Sequence, residues 1–180
     1  MLFRSLANEV GGRLGACALT GPLYGPMGSF IHLANGAVAT AKLLGLSAPQ
    51  IEAALALALS HPIYPSRAGF FGSEARILLA AHTAPVGVQS AQLAANGMRA
   101  NTDVLEGEDG LLRILAPQAL MGAFEGFDAA WLTETLSYKI YPGSAHMGTI
   151  LDCVLGLQRM HSIDARKVAA VHIATTSFAL

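Results

Sequence analysis

The sequence predicts a mainly α fold, with an all-helical domain over residues 1–132 and the beginning of a small α+β domain over residues 133–180. Two observations support this division. Up to residue 132, alanine-rich apolar segments alternate with glycine- and proline-rich stretches, which is typical of packed helices joined by loops. After that point, β-forming residues lie on both sides of a helical segment, which indicates a β-α-β order. Because two strands alone are marginal in water, we expect this second domain to be incomplete.

Helical spacing and stop signals define the helices of the first domain. Leu6, Val10 and Leu14 share one face of the first helix. The second helix is rich in alanine, which favours helix and lets neighbouring helices approach closely, and Gly45 ends it. The predicted helices cover residues 2–18, 30–44, 48–60, 73–96 and 110–115.

The third and fourth helices have boundary signals of their own. Ser47 and Gln50 form a capping box ahead of the third helix, and His61-Pro62 ends it, because a residue before proline disfavours helix. Pro85 is expected to kink or break the fourth helix. The predicted loops include residues 20–28, 64–72 and 101–109.

The second domain contains two predicted strands with a helix between them. β-forming residues are concentrated in residues 132–141 and again in residues 168–177. Pro142 and Gly143 break the chain after the first of these segments, and residues 144–160 are predicted to be helical.

The composition is unusually apolar. The chain is 53% hydrophobic and 13% charged, with a mean hydropathy of +0.47. A membrane protein, a deeply buried helical core or a chain that expects a partner surface would each explain these values. The uncharged window 14–41 contains Pro22 and Pro26, so it would not form one spanning helix. Arg4 and Glu9 interrupt the apolar run that a signal peptide needs. We therefore expect no association with a membrane.

Charge and cysteine content exclude further classes. The formal net charge is −1 and no basic stripe occurs, which argues against a nucleic-acid partner. Cys17 and Cys153 are too few for a disulfide framework, so we expect a reducing, cytoplasmic location. The six histidines have no metal-ligand spacing such as H-x-x-x-H, and no metal site is expected.

Lys139 and His146 lie on opposite sides of the break at Pro142-Gly143. Lys139 could bind a carboxylate as a point charge, and the helix start after the break could hold an anion on free backbone N–H groups. Gly143 and Ser144 would let such an anion approach. Alternatively, Lys139 is a solvent-facing strand residue and His146 a surface residue at the start of a helix.

Five stretches, taken in order, resemble the MmgE/PrpD family. They are ANEVGGRLG, GSFIHLANGAVATAKLLGLSAPQIEAALALA, SEARILLAAHTAPVGVQSAQLAANG, DVLEGEDGLLRIL and the K-x-Y-P motif of YKIYP with the histidine and aspartate that follow it. The resemblance implies a large helical domain and a smaller α+β lid, of which this chain matches only the later helical part and the start of the lid. Family enzymes act on small di- and tricarboxylates, as 2-methylcitrate dehydratase, cis-aconitate decarboxylase or iminodisuccinate epimerase, and are typically homodimers without a cofactor.

The resemblance also implies site residues and a partner. Lys139 and His146 become candidate catalytic residues, and Arg76 and Ser144 candidate substrate-binding residues. Arg76 matches a position that is usually lysine, and it cannot give up a proton as lysine can. Alternatively, it pairs with Glu74 or lies at a helix end that is capped by solvent. The family's N-terminal acidic residue and histidine have no counterpart here. We therefore expect part of a split lyase or isomerase, a homodimer or a complex with a second chain, or else a non-catalytic remnant or oligomerisation module of the same fold.

Overall fold

The computed structural model describes residues 2–18, 28–62, 67–70, 73–127, 129–143 and 147–175. These residues form helices and short 3₁₀ turns without a β-strand, which confirms the mainly α fold. The α-helices are α1 (Leu2–Ala18), α2 (Ser29–Leu43), α3 (Ala48–Leu59), α4 (Arg67–Phe70), α5 (Leu78–Ala81), α6 (Thr83–Ala95), α7 (Leu111–Leu115) and α8 (Met147–His161). The 3₁₀ turns cover Glu74–Ile77, Thr102–Val104, Met121–Phe124, Leu132–Thr135 and Ala165–Lys167.

The chain divides into two compact units. The first, Met1–Thr135, contains α1 to α7, and the second, Leu136–Leu180, contains α8. Within the first unit, α2 packs against α1, α3 and α6. Its buried face carries Phe30, Leu33, Ala37 and Ala41 at helical spacing, so α2 is the central element of this unit.

Two glycines allow α2 and α6 to approach closely. A Cβ atom added at Gly36 would lie 2.5 Å from the carbonyl oxygen of Ala84, and one added at Gly87 would meet the carbonyl oxygen of Leu33. Any side chain at either position would therefore separate the two helices. The alanine-rich composition of α2 has the same effect along the rest of the contact.

Most predicted helix boundaries in the first unit are confirmed to within two residues. Gly45 follows α2 with a φ of 67°, a left-handed conformation that glycine adopts readily. Ser47 and Gln50 form the capping box of α3, and the Ser47 backbone N–H donates to Gln50 Oε1 at 3.1 Å.

The predicted helix over residues 73–96 is wrong in its continuity. It consists of a 3₁₀ turn, α5 and α6, and the break falls at His82 rather than at Pro85. Pro85 lies in the first turn of α6, where the missing backbone N–H has no helical partner to lose. Proline therefore acts here on the start of a helix. The predicted loop over residues 64–72 contains the one-turn helix α4. Residues 19–27, which include most of the predicted loop over residues 20–28, lie outside the described residues.

The two predicted strands are also wrong for the residues that the structure describes. Leu132–Thr135 is a 3₁₀ turn, and residues 136–143 and 168–175 have no regular structure. β-forming side chains fit a pleated surface, but a strand also needs a neighbour to accept its backbone hydrogen bonds. The ladder that would make strands of these segments is missing in the described part of the chain. The predicted helix between them forms as α8, beginning at Met147.

The two cysteines differ in environment. Cys17 is fully buried at the end of α1, where its Sγ lies 3.7 Å from Met121 Sδ, and burial raises the pKa of its thiol. Cys153 is exposed on α8, and both are free. In the parts of the chain that the structure describes, no helix is both long and apolar enough to cross a bilayer.

Candidate functional site

Lys139 is exposed in the second unit and closes a small loop. Its Nζ donates a hydrogen bond to the carbonyl oxygen of Gly143 at 2.9 Å. Gly143 has a φ of 108°, which other residues rarely adopt, so glycine is required at this position. No carboxylate of the described residues forms an ion pair with Lys139. Its charge is therefore available to a ligand.

The same loop is attached to α8 through a second contact. The Tyr141 hydroxyl donates to Asp152 Oδ1 at 2.6 Å, a short bond that is typical of a hydroxyl donating to a carboxylate. This hydrogen bond, burial and the negative charge of Asp152 together raise the pKa of the Tyr141 phenol, while the positive charge of Arg159 opposes the shift. Lys139 thus belongs to a loop with two defined hydrogen bonds.

Ser144 and His146 lie outside the described residues. They come directly before Met147, the first residue of α8, so their roles stay predictions. The structure thus brings together Lys139, Gly143, Tyr141 and Asp152, of which only Lys139 was a candidate site residue from the sequence.

Arg76 lies in the first unit, on the 3₁₀ turn Glu74–Ile77. The backbone N–H of Ala75 donates to the Ser73 side chain at 3.2 Å, which caps the start of this turn. The Arg76 side chain is exposed, and no ion pair joins it to Glu74 or to another carboxylate of the described residues. The ion pair with Glu74, one alternative for Arg76, is therefore not formed.

Histidines contribute no metal centre among the described residues. His32 on α2 is half-buried, and burial lowers the pKa of its imidazole. His61 and His82 are exposed at helix ends. Over the described part of the chain, no group of three or more His, Cys, Asp or Glu side chains could hold a metal ion.

A buried ion pair on α1 is a feature that the sequence did not predict. Arg13 Nε donates to Glu9 Oε1 at 2.7 Å, and both side chains are almost fully buried. Glu9 also accepts from two backbone N–H groups, that of Leu132 at 2.8 Å and that of Thr133 at 3.3 Å. Burial disfavours its charge, but the Leu132 N–H, the Arg13 guanidinium and the Thr133 N–H outweigh burial and lower the pKa of Glu9.

Arg13 fastens the end of the first unit to α1. Its two terminal nitrogens donate to four backbone carbonyls of the segment after α7, with one bond of 2.9 Å and another of 2.6 Å. These carbonyls belong to Ala123, Glu125, Gly126 and Ala130. The Phe127 ring lies against the guanidinium, with its centroid 4.6 Å from the Arg13 Cζ atom. We call residues 121–127 and 129–135 the strap. Because the side-chain N–H groups of Arg13 donate to Glu9 and to the carbonyls of the strap, the Glu9–Arg13 ion pair has a structural role.

Comparison with family models identifies the chain. Residues 4–122 match the model of the MmgE/PrpD N-terminal domain. The chain belongs to the MmgE/PrpD family. The match begins in α1 and ends at the start of the strap, so this MmgE/PrpD domain accounts for most of the first unit. Among curated proteins, none matches the chain significantly.

The matched region divides the candidate residues into two groups. Arg76 lies within the MmgE/PrpD N-terminal domain, whereas Lys139, Ser144 and His146 follow it. Glu9 and Arg13 also lie within the matched region, so the ion pair that holds the strap is part of the family domain.

Proposed function

We propose that the chain contributes to a lyase or isomerase of the MmgE/PrpD type that acts on a small di- or tricarboxylate. The observation that carries this proposal is the family match over residues 4–122, which points to lyase-type chemistry at the level of the family. The reaction would be a dehydration, a decarboxylation or an epimerisation by acid–base chemistry, and it would need no cofactor.

Such reactions need cations that hold carboxylates, together with groups that move protons. Arg76 and Lys139 suit the first task, because both are exposed and neither is neutralised by a carboxylate of the described residues. Arg13 and Arg166, in contrast, are each paired with an acidic side chain. Arg76 would grip a carboxylate through two N–H donors, whereas Lys139 would act as a point charge.

His146 and Ser144 would complete the site within the second unit. An imidazole titrates near neutral pH and can therefore take or return a proton beside the carboxylate that Lys139 holds. The Ser144 hydroxyl would hydrogen-bond the substrate. In this proposal, residues 133–180 are the beginning of a lid domain, and the chain acts as a homodimer or in a complex with a second chain.

Variants of the two cations test this function. We expect Lys139→Ala and Arg76→Ala each to weaken citrate binding at least about tenfold, since each removes a charged hydrogen-bond donor. Calorimetry measures the affinity, and aconitate-like and methylcitrate-like acids serve as substrates for turnover. Lys167→Ala is the matched control for Lys139→Ala, and Arg99→Ala is the matched control for Arg76→Ala. Each control removes an exposed cation from the same unit as the residue under test. Control variants that weaken binding equally would contradict the proposed roles.

A non-catalytic oligomerisation module is the second candidate. The observation that favours it is that α8 buries none of its described side chains, although it carries Val154, Leu155 and Leu157. The mass of the purified chain in solution, measured with and without co-expressed neighbours, separates the two functions. A stable homo-oligomer that neither binds nor converts the acids would favour the module.

A further inference from the structure

The loop Lys139–Gly143 has little packing of its own. Tyr141 is its one half-buried side chain, whereas Tyr138, just ahead of the loop, is 95% exposed and Ile140 is 84% exposed. Apolar contacts therefore do not fix the loop, and its conformation depends on hydrogen bonds and on backbone restrictions. Pro142, which lies between Tyr141 and Gly143, supplies one restriction, because its ring fixes its own backbone φ angle.

Two hydrogen bonds act on this loop from different directions. The Lys139 ammonium closes the loop onto the Gly143 carbonyl at 2.9 Å. Tyr141 is midway between those two residues in the sequence, and its hydroxyl donates to Asp152 at 2.6 Å. The first bond is internal to the loop, so it cannot orient the loop within the unit. Among the described residues, the second is the only hydrogen bond that joins the loop to another element.

Asp152 is well suited to be the anchor of this contact. It lies in the second turn of α8, where helical hydrogen bonds hold the backbone. Among the described residues, α8 is the α-helix of the second unit. The Asp152 carboxylate is a stronger acceptor for a hydroxyl than a neutral group. Arg159, seven residues further along α8, lies near enough to the pair to act on it electrostatically. Removing the Tyr141 hydroxyl would leave the loop without a described side-chain bond to α8.

We propose that Tyr141 and Asp152 are positioning residues that hold the Lys139 ammonium in place for a substrate carboxylate. This inference rests on the proposed function, since Lys139 is the group that would bind the carboxylate. Tyr141 and Asp152 act through the loop and do not themselves bind the substrate. A loop free to move would present the same charge in many directions, and affinity would fall because binding would have to order it.

Conservative variants of the pair test the inference. Tyr141→Phe keeps the ring but removes the donor, Asp152→Ala removes the acceptor, and Asp152→Asn retains an acceptor oxygen. We expect Tyr141→Phe and Asp152→Ala to weaken citrate binding about tenfold, with a smaller effect for Asp152→Asn. Tyr138→Phe, which removes an exposed hydroxyl just ahead of the loop and three residues before Tyr141, should leave the affinity unchanged.

A second readout follows Lys139 without any substrate. Acetylation by acetic anhydride, followed residue by residue by mass spectrometry, should be faster at Lys139 in Tyr141→Phe and Asp152→Ala than in the wild-type chain. Lys167, which is exposed in the same unit, is the internal reference. Circular dichroism should give the same helix content for all variants.

The outcomes separate the inference from the proposed function. Citrate binding that Lys139→Ala weakens but Tyr141→Phe does not would overturn the inference alone. Citrate binding that Lys139→Ala leaves unchanged, or no citrate binding at all, would overturn the function, and Lys139 acetylation would then decide whether the pair positions the lysine. A loss of helix content in Tyr141→Phe would make the pair a support of α8 and would overturn the inference.

Discussion

Glu9 and Arg13 are four residues apart on α1, so the sequence predicts that their side chains are neighbours but nothing more about them. A pair at this spacing is usually a solvated surface contact of small energy. What the sequence could not predict is the strap, whose carbonyls and N–H groups come from residues more than a hundred positions away. The same limit applies to Tyr141 and Asp152, because their contact depends on the path of the loop. Lys139 is a candidate from its residue type and motif, and its role stays a prediction.

The strap contact predicts a large effect of a small change at Glu9. Glu9→Gln removes the negative charge beside Arg13 and leaves the guanidinium buried without a counter-ion. We expect the free energy of unfolding to fall by about 3 kcal/mol at pH 7. Urea titration measures the change. Glu52→Gln, on the exposed side of α3, is the matched control and should have an effect near zero.

The stability of the wild-type chain should also depend on pH through Glu9. Because the pKa of Glu9 is lower in the folded chain than in the unfolded chain, its contribution to stability is fully present above the unfolded-state pKa. That contribution is lost as the pH falls through the folded pKa. The acid loss of stability should therefore be smaller in Glu9→Gln than in the wild type. Equal acid slopes in the two proteins would contradict this account.

Helices were predicted best where local chemistry decides their ends. Gly45 and the Ser47–Gln50 capping box act within a single turn, so the sequence contains the whole signal. Pro85 was misjudged because proline both breaks helices and suits their first turn, and only packing selects between these roles. The predicted strands are wrong over the described residues because a strand needs hydrogen bonds from a partner at any distance along the chain, whereas a helix bonds to itself.

The contact between α2 and α6 should tolerate no side chain at its closest point. Gly36→Ala would bring a methyl group against the Ala84 carbonyl, so the helices must separate. We expect a loss of about 1–3 kcal/mol in the free energy of unfolding, measured by thermal or urea denaturation.

The matched control for this substitution is Gly156→Ala on α8. No described atom lies within 4 Å of a Cβ atom added there. Alanine is a better helix former than glycine, so this change should be neutral or slightly stabilising. If Gly36→Ala behaves in the same way, close packing does not limit residue 36.

The molecule as a whole combines two units with unequal burial. The first has a core along α2, whereas the described residues of the second are all at least partly exposed. The apolar composition noted in the sequence therefore has two sources. One is the alanine-rich core of the first unit, and the other is a set of apolar side chains on and around α8 that stay accessible.

This difference predicts unequal protection of backbone amides. Helix stability in proteins comes mainly from packing, and α8 has little of it within the described residues. In hydrogen–deuterium exchange of the intact chain, we expect the amides of α2 to exchange at least about a hundredfold more slowly than those of α8.

Addition of a partner that covers α8 should reduce this difference, because burial would then protect its amides. Comparable protection of α2 and α8 in the chain alone would contradict the division into a packed and an exposed unit. The exchange rates of α6, which packs against α2, provide the internal reference for the packed unit.

The contrast between the two cysteines has a practical consequence. Cys17 is enclosed and burial raises the pKa of its thiol, which lowers its reactivity, whereas Cys153 faces solvent. At neutral pH, a maleimide fluorophore should therefore attach to Cys153 alone, without any engineered change in the sequence. A dye at that position sits beside Asp152 on α8, and its emission would report when the surface of this helix becomes covered.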